Sequence, residues 1–240
     1  EEADWDVAFG VSADALEEGK EYWQTGKDAW TGYSAVSFVI LYNTNVVTYR
    51  ELPTGWDSLL EPRWKGRVAV PDPLKSDMAA SVLTEAAKNS EKEEFLDLLA
   101  ENMQYQMPET FKEVEQGISD GRYSIGVTSE EAAKAMLAAG QDVDYIDPEE
   151  GECFFEDGTA IRKRTPNLDA SEAFVTYTTC DDTKWLLRTQ LLRQPAEDVA
   201  AENDRSDEDL KQRYSRQQEV LNIWKLIMEE KSGSAHEQEQ

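Results

Sequence analysis

Hydrophobic positions in this chain recur with two different periods, and the two alternate along its length. Asp4-Trp5-Asp6-Val7-Ala8-Phe9-Gly10-Val11-Ser12 alternates polar and apolar residues before glycine interrupts it, which predicts a strand running into a turn. Helix-forming residues follow over 13–20. Trp30–Ser34 reads as a turn-rich approach to Val36–Thr44, a β-branched and aromatic run that is apolar on both faces and so predicts a strand in the middle of a sheet. Between Pro53 and Gly66 a short helix bounded by prolines is expected, then a short strand at Val68–Val70. Ser76 is placed to cap a helix over 77–88, and further helices are predicted over 92–102 and from Pro108 onward. A strand over 121–128, a helix over 130–139 closed by Gly140 and a strand over 143–146 complete this stretch.

Beyond Gly151 the pattern predicts a strand over 158–161, helices over 170–179 and 183–192, and a long amphipathic helix over about 207–230. In that last helix Leu210, Tyr214, Gln217, Leu221, Trp224 and Met228 fall at three- and four-residue steps. The nine residues from Ser232 read as a disordered tail. Strands that alternate with helices in this way predict the α/β class with a parallel-rich sheet.

Charge narrows the function classes. The 240 residues carry 24 Lys+Arg against 50 Asp+Glu, a net charge of −26, so nucleic acid and anionic membrane would both be repelled. No apolar run approaches the ~18 residues of a membrane helix, and direct membrane insertion is not expected. The start, Glu1-Glu2-Ala3-Asp4, has neither a basic nor an apolar leader region, so any export signal has been removed or lies upstream. Seven Trp, nine Tyr and seven Phe spread along the chain argue for a folded protein.

Two cysteines, Cys153 and Cys180, allow one optional bridge and no zinc module. The only histidine, His236, lies in the polar tail, which removes the imidazole that a catalytic triad or a histidine metal site needs. No enzyme activity, metal or cofactor is expected.

Several segments carry a resemblance. Leu41-Tyr42-Asn43-Thr44, Pro53–Leu60, Trp64–Pro73, Asp120–Val127, Asp147–Gly151, Asp157–Ile161 and Leu192–Val199 occur in the order and with the character of the extracytoplasmic solute-binding proteins of ABC transporters. The branch resembled binds ferric ion, phosphonates and sugar phosphates. The resemblance covers roughly residues 4–226 and implies a two-lobed clamp of the type II periplasmic-binding-protein fold. Residues 1–44 and 147–231 would form one lobe and 45–146 the other, with the chain passing between them near 39–44 and 147–152. A small polar solute would be captured between the lobes by hinge closure and delivered to permease subunits, in the periplasm or outside the cell.

In one respect the chain departs from the family. Relatives begin with a strand, helix, strand and helix ahead of the segment matching Asp4–Gly10, so the first lobe would lack strands. Either the chain is a fragment, or another chain or an altered topology completes the sheet, and an unpaired edge would favour self-association.

The resemblance also places the candidate ligand residues, at strand ends and helix N-termini. In the first lobe these are Ser12, Tyr33 and Asp157; in the second, Ser76, Asp77, Thr110, Thr128 and Glu130. Each has a plain structural reading beside the binding one. Ser76 and Thr110 serve equally as helix caps, Glu130 as an acidic first-turn residue, Asp157 as a turn residue. Asp77 stands where many relatives have a small residue, which disfavours a bare anion and points to a cationic or zwitterionic solute. The adjacent tyrosine pair of ferric-binding relatives is missing, so iron is disfavoured. The alternative to transport is a truncated ligand-sensing or interaction module on the same scaffold.

Overall fold

The computed structural model describes residues 6–12, 30–151, 153–200 and 207–238. The helix expected over 13–20 lies outside these, as does the side chain of Ser12. Among the described residues the strands are β1 (Val7–Ser12), β2 (Trp30–Asn43), β3 (Val68–Ala69), β4 (Ile125–Ser129), β5 (Val143–Ile146), β6 (Cys153–Ile161) and β7 (Gln194–Pro195). The α-helices are α1 (Asp77–Asn89), α2 (Phe95–Asn102), α3 (Phe111–Ser119), α4 (Glu130–Ala138), α5 (Leu168–Thr178), α6 (Asp181–Leu186), α7 (Ala196–Ala200) and α8 (Asp207–Gln238).

The chain divides into two compact units, Glu1–Val36 with Phe155–Ser215, and Ser37–Phe154 with Arg216–Gln240. The boundary falls inside β2 and again inside β6. The sequence reading put the passages several residues further into the second unit on both sides, and assigned the C-terminal helix to the first. From Arg216 onward that helix packs in the second unit, where Gln217, Val220 and Trp224 are buried.

In the first unit β1 pairs antiparallel with β6, β6 lies beside β2, and β7 pairs antiparallel with Ser34–Ala35 of β2. Trp30–Ser34, expected as a turn, is the start of the strand. The backbone at Gly158 leaves room for the Trp30 indole, since a Cβ there would lie 2.2 Å from the ring. That aromatic packing carries the strand across a segment whose residue types favour turns.

In the second unit Ile40, Leu41 and Tyr42 of β2 are paired on one edge with β4 and on the other with β5, both antiparallel. The expectation of a parallel-rich sheet is corrected here. β3 and β4, joined through α1, α2 and α3, are parallel. β4 and β5, joined through α4, also run in one direction, but β2 is inserted between them and turns both neighbour pairs antiparallel. The α3 and α4 helices cover this sheet, with Val114, Ile118, Ala133 and Met136 set against Val39, Leu41, Ala69 and Val143. Burial of these apolar side chains is the main stabilising term of the unit.

Other boundaries moved. The Pro53–Gly66 stretch forms short 3-10 turns, Trp56–Leu60 and Pro62–Trp64, instead of one short helix. The helix expected over 183–192 is α6 followed by a π-helical turn, Leu187–Leu191. The C-terminal helix continues to Gln238, into the segment expected to be disordered, because adding a residue to a formed helix is far easier than starting one. Cys153 is buried and Cys180 half-buried, and no disulfide joins them.

Candidate functional site

In the first unit, three polar side chains converge where β2, β6 and the turn after α6 meet. Tyr33 comes from β2 and Asp157 from β6, and Asp157 is the register partner of Ser12 in β1. The third, Arg193, is delivered by local backbone geometry. The π-helical turn ends at Leu192 in a left-handed conformation (φ 56°), an unusual state for a side chain of that size. Arg193 N–H then donates to Leu187 O at 3.0 Å, and its guanidinium reaches the Asp157 carboxylate at 2.6 Å. Both partners are largely buried, with side-chain exposures of 17% and 13%. Burial pushes the Tyr33 phenol up to about 12; the Asp157 charge adds to the shift and the Arg193 charge opposes it.

In the second unit a cluster forms at the start of α4. Ser129 caps that helix, its hydroxyl accepting from Ala132 N–H at 3.1 Å, which sets Glu130 in the first turn. The Glu130 carboxylate accepts from the Ser37 hydroxyl at 3.3 Å and the Tyr145 hydroxyl at 3.4 Å. It also pairs with Lys134 one turn on, at 2.7 Å. That contact raises the Lys134 ammonium, while burial and then the Glu130 charge raise the Tyr145 phenol. Glu130, a candidate ligand residue in the sequence, is thus already paired with a lysine.

Three of the remaining candidates, Ser76, Thr110 and Thr128, have hydrogen-bond partners of their own within the second unit. Ser76 caps α1, accepting from Ala79 N–H at 3.2 Å, and Asp77 is exposed in its first turn. Thr110 caps α3 through Glu113 N–H at 3.2 Å. Thr128 is fully buried, and its hydroxyl donates to Glu115 on α3 at 2.7 Å. Ser12 contributes its backbone register, and its side chain lies outside the described residues.

Sequence reasoning missed Arg193, Ser37, Tyr145 and Lys134. Only Lys134 had a local signal, its four-residue spacing from Glu130. Arg193 lay inside a segment already singled out, but its partner is 36 residues away and only the sheet brings the two together. What both clusters offer chemically is hydrogen bonding from hydroxyls and paired charges. Among the described residues no group of three or more His, Cys, Asp or Glu side chains is arranged to hold a metal ion.

Similar proteins agree with this architecture. A ferric binding protein from Campylobacter jejuni superimposes with a TM-score of 0.75 at 14% identity, over 92% of this chain and 83% of the other. A periplasmic binding protein from Actinobacillus pleuropneumoniae, solved with fructose-6-phosphate, gives 0.75 at 15% identity over 95% and 84%. A two-component system protein that mediates signal transduction gives 0.70 at 19% identity over 86% and 74%. At these identities the likeness establishes the periplasmic-binding-protein fold. No curated protein matches the sequence. The profile of the bacterial extracellular solute-binding proteins matches residues 10–218, which take in both polar clusters and most of each unit, and the chain therefore belongs to that family.

Proposed function

We propose that this protein is the extracytoplasmic solute-binding component of an ABC importer, taking up a small polar solute and passing it to permease subunits. The observation that carries this is the family match over residues 10–218. The buried Tyr33–Asp157–Arg193 group and the Ser37–Glu130–Tyr145 group supply the hydrogen-bonding chemistry such a protein needs. Ser76, Asp77 and Thr110 are further contact candidates at helix starts, and Ser12 one at a strand end.

Both clusters hold their charges as pairs, Asp157 with Arg193 and Glu130 with Lys134. Paired charges disfavour a bare ion and favour a zwitterionic or hydroxyl-rich organic solute. A thermal-shift screen against amino acids, amines, sugar phosphates, phosphonates and ferric complexes tests the reading. A specific solute raises the midpoint in proportion to the logarithm of its concentration above Kd. A flat response across all five classes removes the receptor reading.

The likeness to a signal-transduction protein favours one second reading, a ligand-sensing module on the same scaffold. Both readings predict a solute. They separate on the next step, since only the transport component stimulates a permease when loaded. Self-association through β1, whose pairing partner among the described residues is β6, belongs to this second reading.

A further inference from the structure

A groove of about 740 Å³ runs between α3 and the C-terminal end of α4 within the second unit, in the size range of small-molecule sites, roughly 300–1,000 Å³. Residues at three- and four-step spacing on α3 put Lys112, Glu115 and Gln116 along one wall. Met136 and Gln141 form the other. Asp120 and Arg122, at one end, neutralise each other at 3.1 Å. Among the described charges lining the groove, that leaves Lys112 and Glu115.

The state of Glu115 is informative. Its carboxylate is half-buried against the sheet, and the Thr128 hydroxyl pins one oxygen at 2.7 Å. Burial pushes its pKa up, against the opposing effects of that hydroxyl and of the Lys112 charge. A carboxylate held partly out of water beside an open groove is stabilised by any cation that docks on it. Lys112 lies one turn earlier on the same wall. Two opposite charges on one wall, flanked by the side-chain amides of Gln116 and Gln141, match the two ends of a short amino acid.

We propose that this groove is a second binding site, for a small zwitterion whose ammonium group meets Glu115 and whose carboxylate meets Lys112. It goes beyond the importer reading and does not depend on it, because none of the side chains lining the groove belongs to the Tyr33 or Glu130 clusters. Thr128, expected from the sequence to contact the solute, serves here by fixing the Glu115 oxygen.

The test is an amide NMR titration of the full chain with γ-aminobutyrate, with butyrate and butylamine as probes of one charge each. The expected result is saturable shifts centred on Gln116, Met136 and Gln141, with each single-charge probe at least about ten-fold weaker. The variants Glu115→Gln and Lys112→Met each weaken the zwitterion by about ten-fold or more, and leave the rest of the spectrum in place. No saturable shift, equal response to the single-charge probes, or shifts indifferent to both substitutions would each overturn the proposal. The three-probe comparison on the unaltered chain stands even if a variant fails to fold.

Discussion

The carboxylate of Glu150 accepts the backbone N–H of Trp56 at 2.9 Å and that of Asp57 at 3.0 Å, closing the start of a 3-10 turn from more than ninety residues away. Trp56 answers from its own side, donating its indole N–H to Gly151 O at 2.9 Å while its ring is fully buried. The turn has unpaired N–H groups at its first residues, and an anion is what they favour. Gly55 makes the approach possible, for a Cβ there would lie 1.6 Å from a Glu150 oxygen. Replacement Glu150→Ala is expected to cost about 2–3 kcal/mol in urea unfolding. Gly55→Ala costs a comparable amount by displacing the same carboxylate, and the double variant falls well short of the sum. Additive losses would show that the two residues act separately.

The Asp157–Arg193 pair predicts a second asymmetry. Removing one partner, as in Asp157→Ala, takes the Asp157 counter-charge from a largely buried guanidinium and should destabilise by about 3–5 kcal/mol. Replacing both, with Asp157→Leu and Arg193→Met, should recover most of that loss while abolishing any solute response in the thermal-shift screen. Equal instability of the single and double variants would place the cost in packing instead of charge.

Tyr33 offers a pH test. With the folded phenol at about 12 and an unfolded value near 10.0, the raised pKa gives a contribution to stability fully present below pH 10 and lost as pH rises toward 12. In an ultraviolet titration of the folded protein the tyrosines raised by burial, Tyr33 among them, should ionise later than exposed phenols. Tyr33→Phe should diminish that late absorbance change by one tyrosine and flatten the fall in stability across the same window.

Gln217 ties α8 to the start of α1, its amide donating to Asp77 O at 3.3 Å and Ser81 Oγ at 3.1 Å. It sits on the same face as Trp224, which is fully buried. Gln217→Ala should cost about 1 kcal/mol and raise amide exchange in the first turn of α1 more than elsewhere. Unchanged exchange at Ala79 and Ala80 would show that capping by Ser76 alone holds that turn.

Much of this protein was legible without coordinates. The 77–88 and 130–139 helices were readable because a capping serine at Ser76 and a closing glycine at Gly140 are local signals, and the structure returns them as α1 and α4 with shifts of a residue. The centre of the sheet was readable at Val36–Thr44 because a run apolar on both faces has nowhere else to go. The family was legible in ordered segments such as Pro53–Leu60 and Asp147–Gly151, and the bond between Glu150 and Trp56 supplies a physical reason for both. What the sequence could not show is which side chains meet across long separations. Strand direction depended on β2 inserting between β4 and β5, the partner of Asp157 on a left-handed turn at Leu192, and the orientation of Thr128 on a carboxylate in another helix. Periodicity and capping act within a few residues of chain, so they determined the elements; pairing and burial act between residues distant in sequence, so only the tertiary structure decided the site.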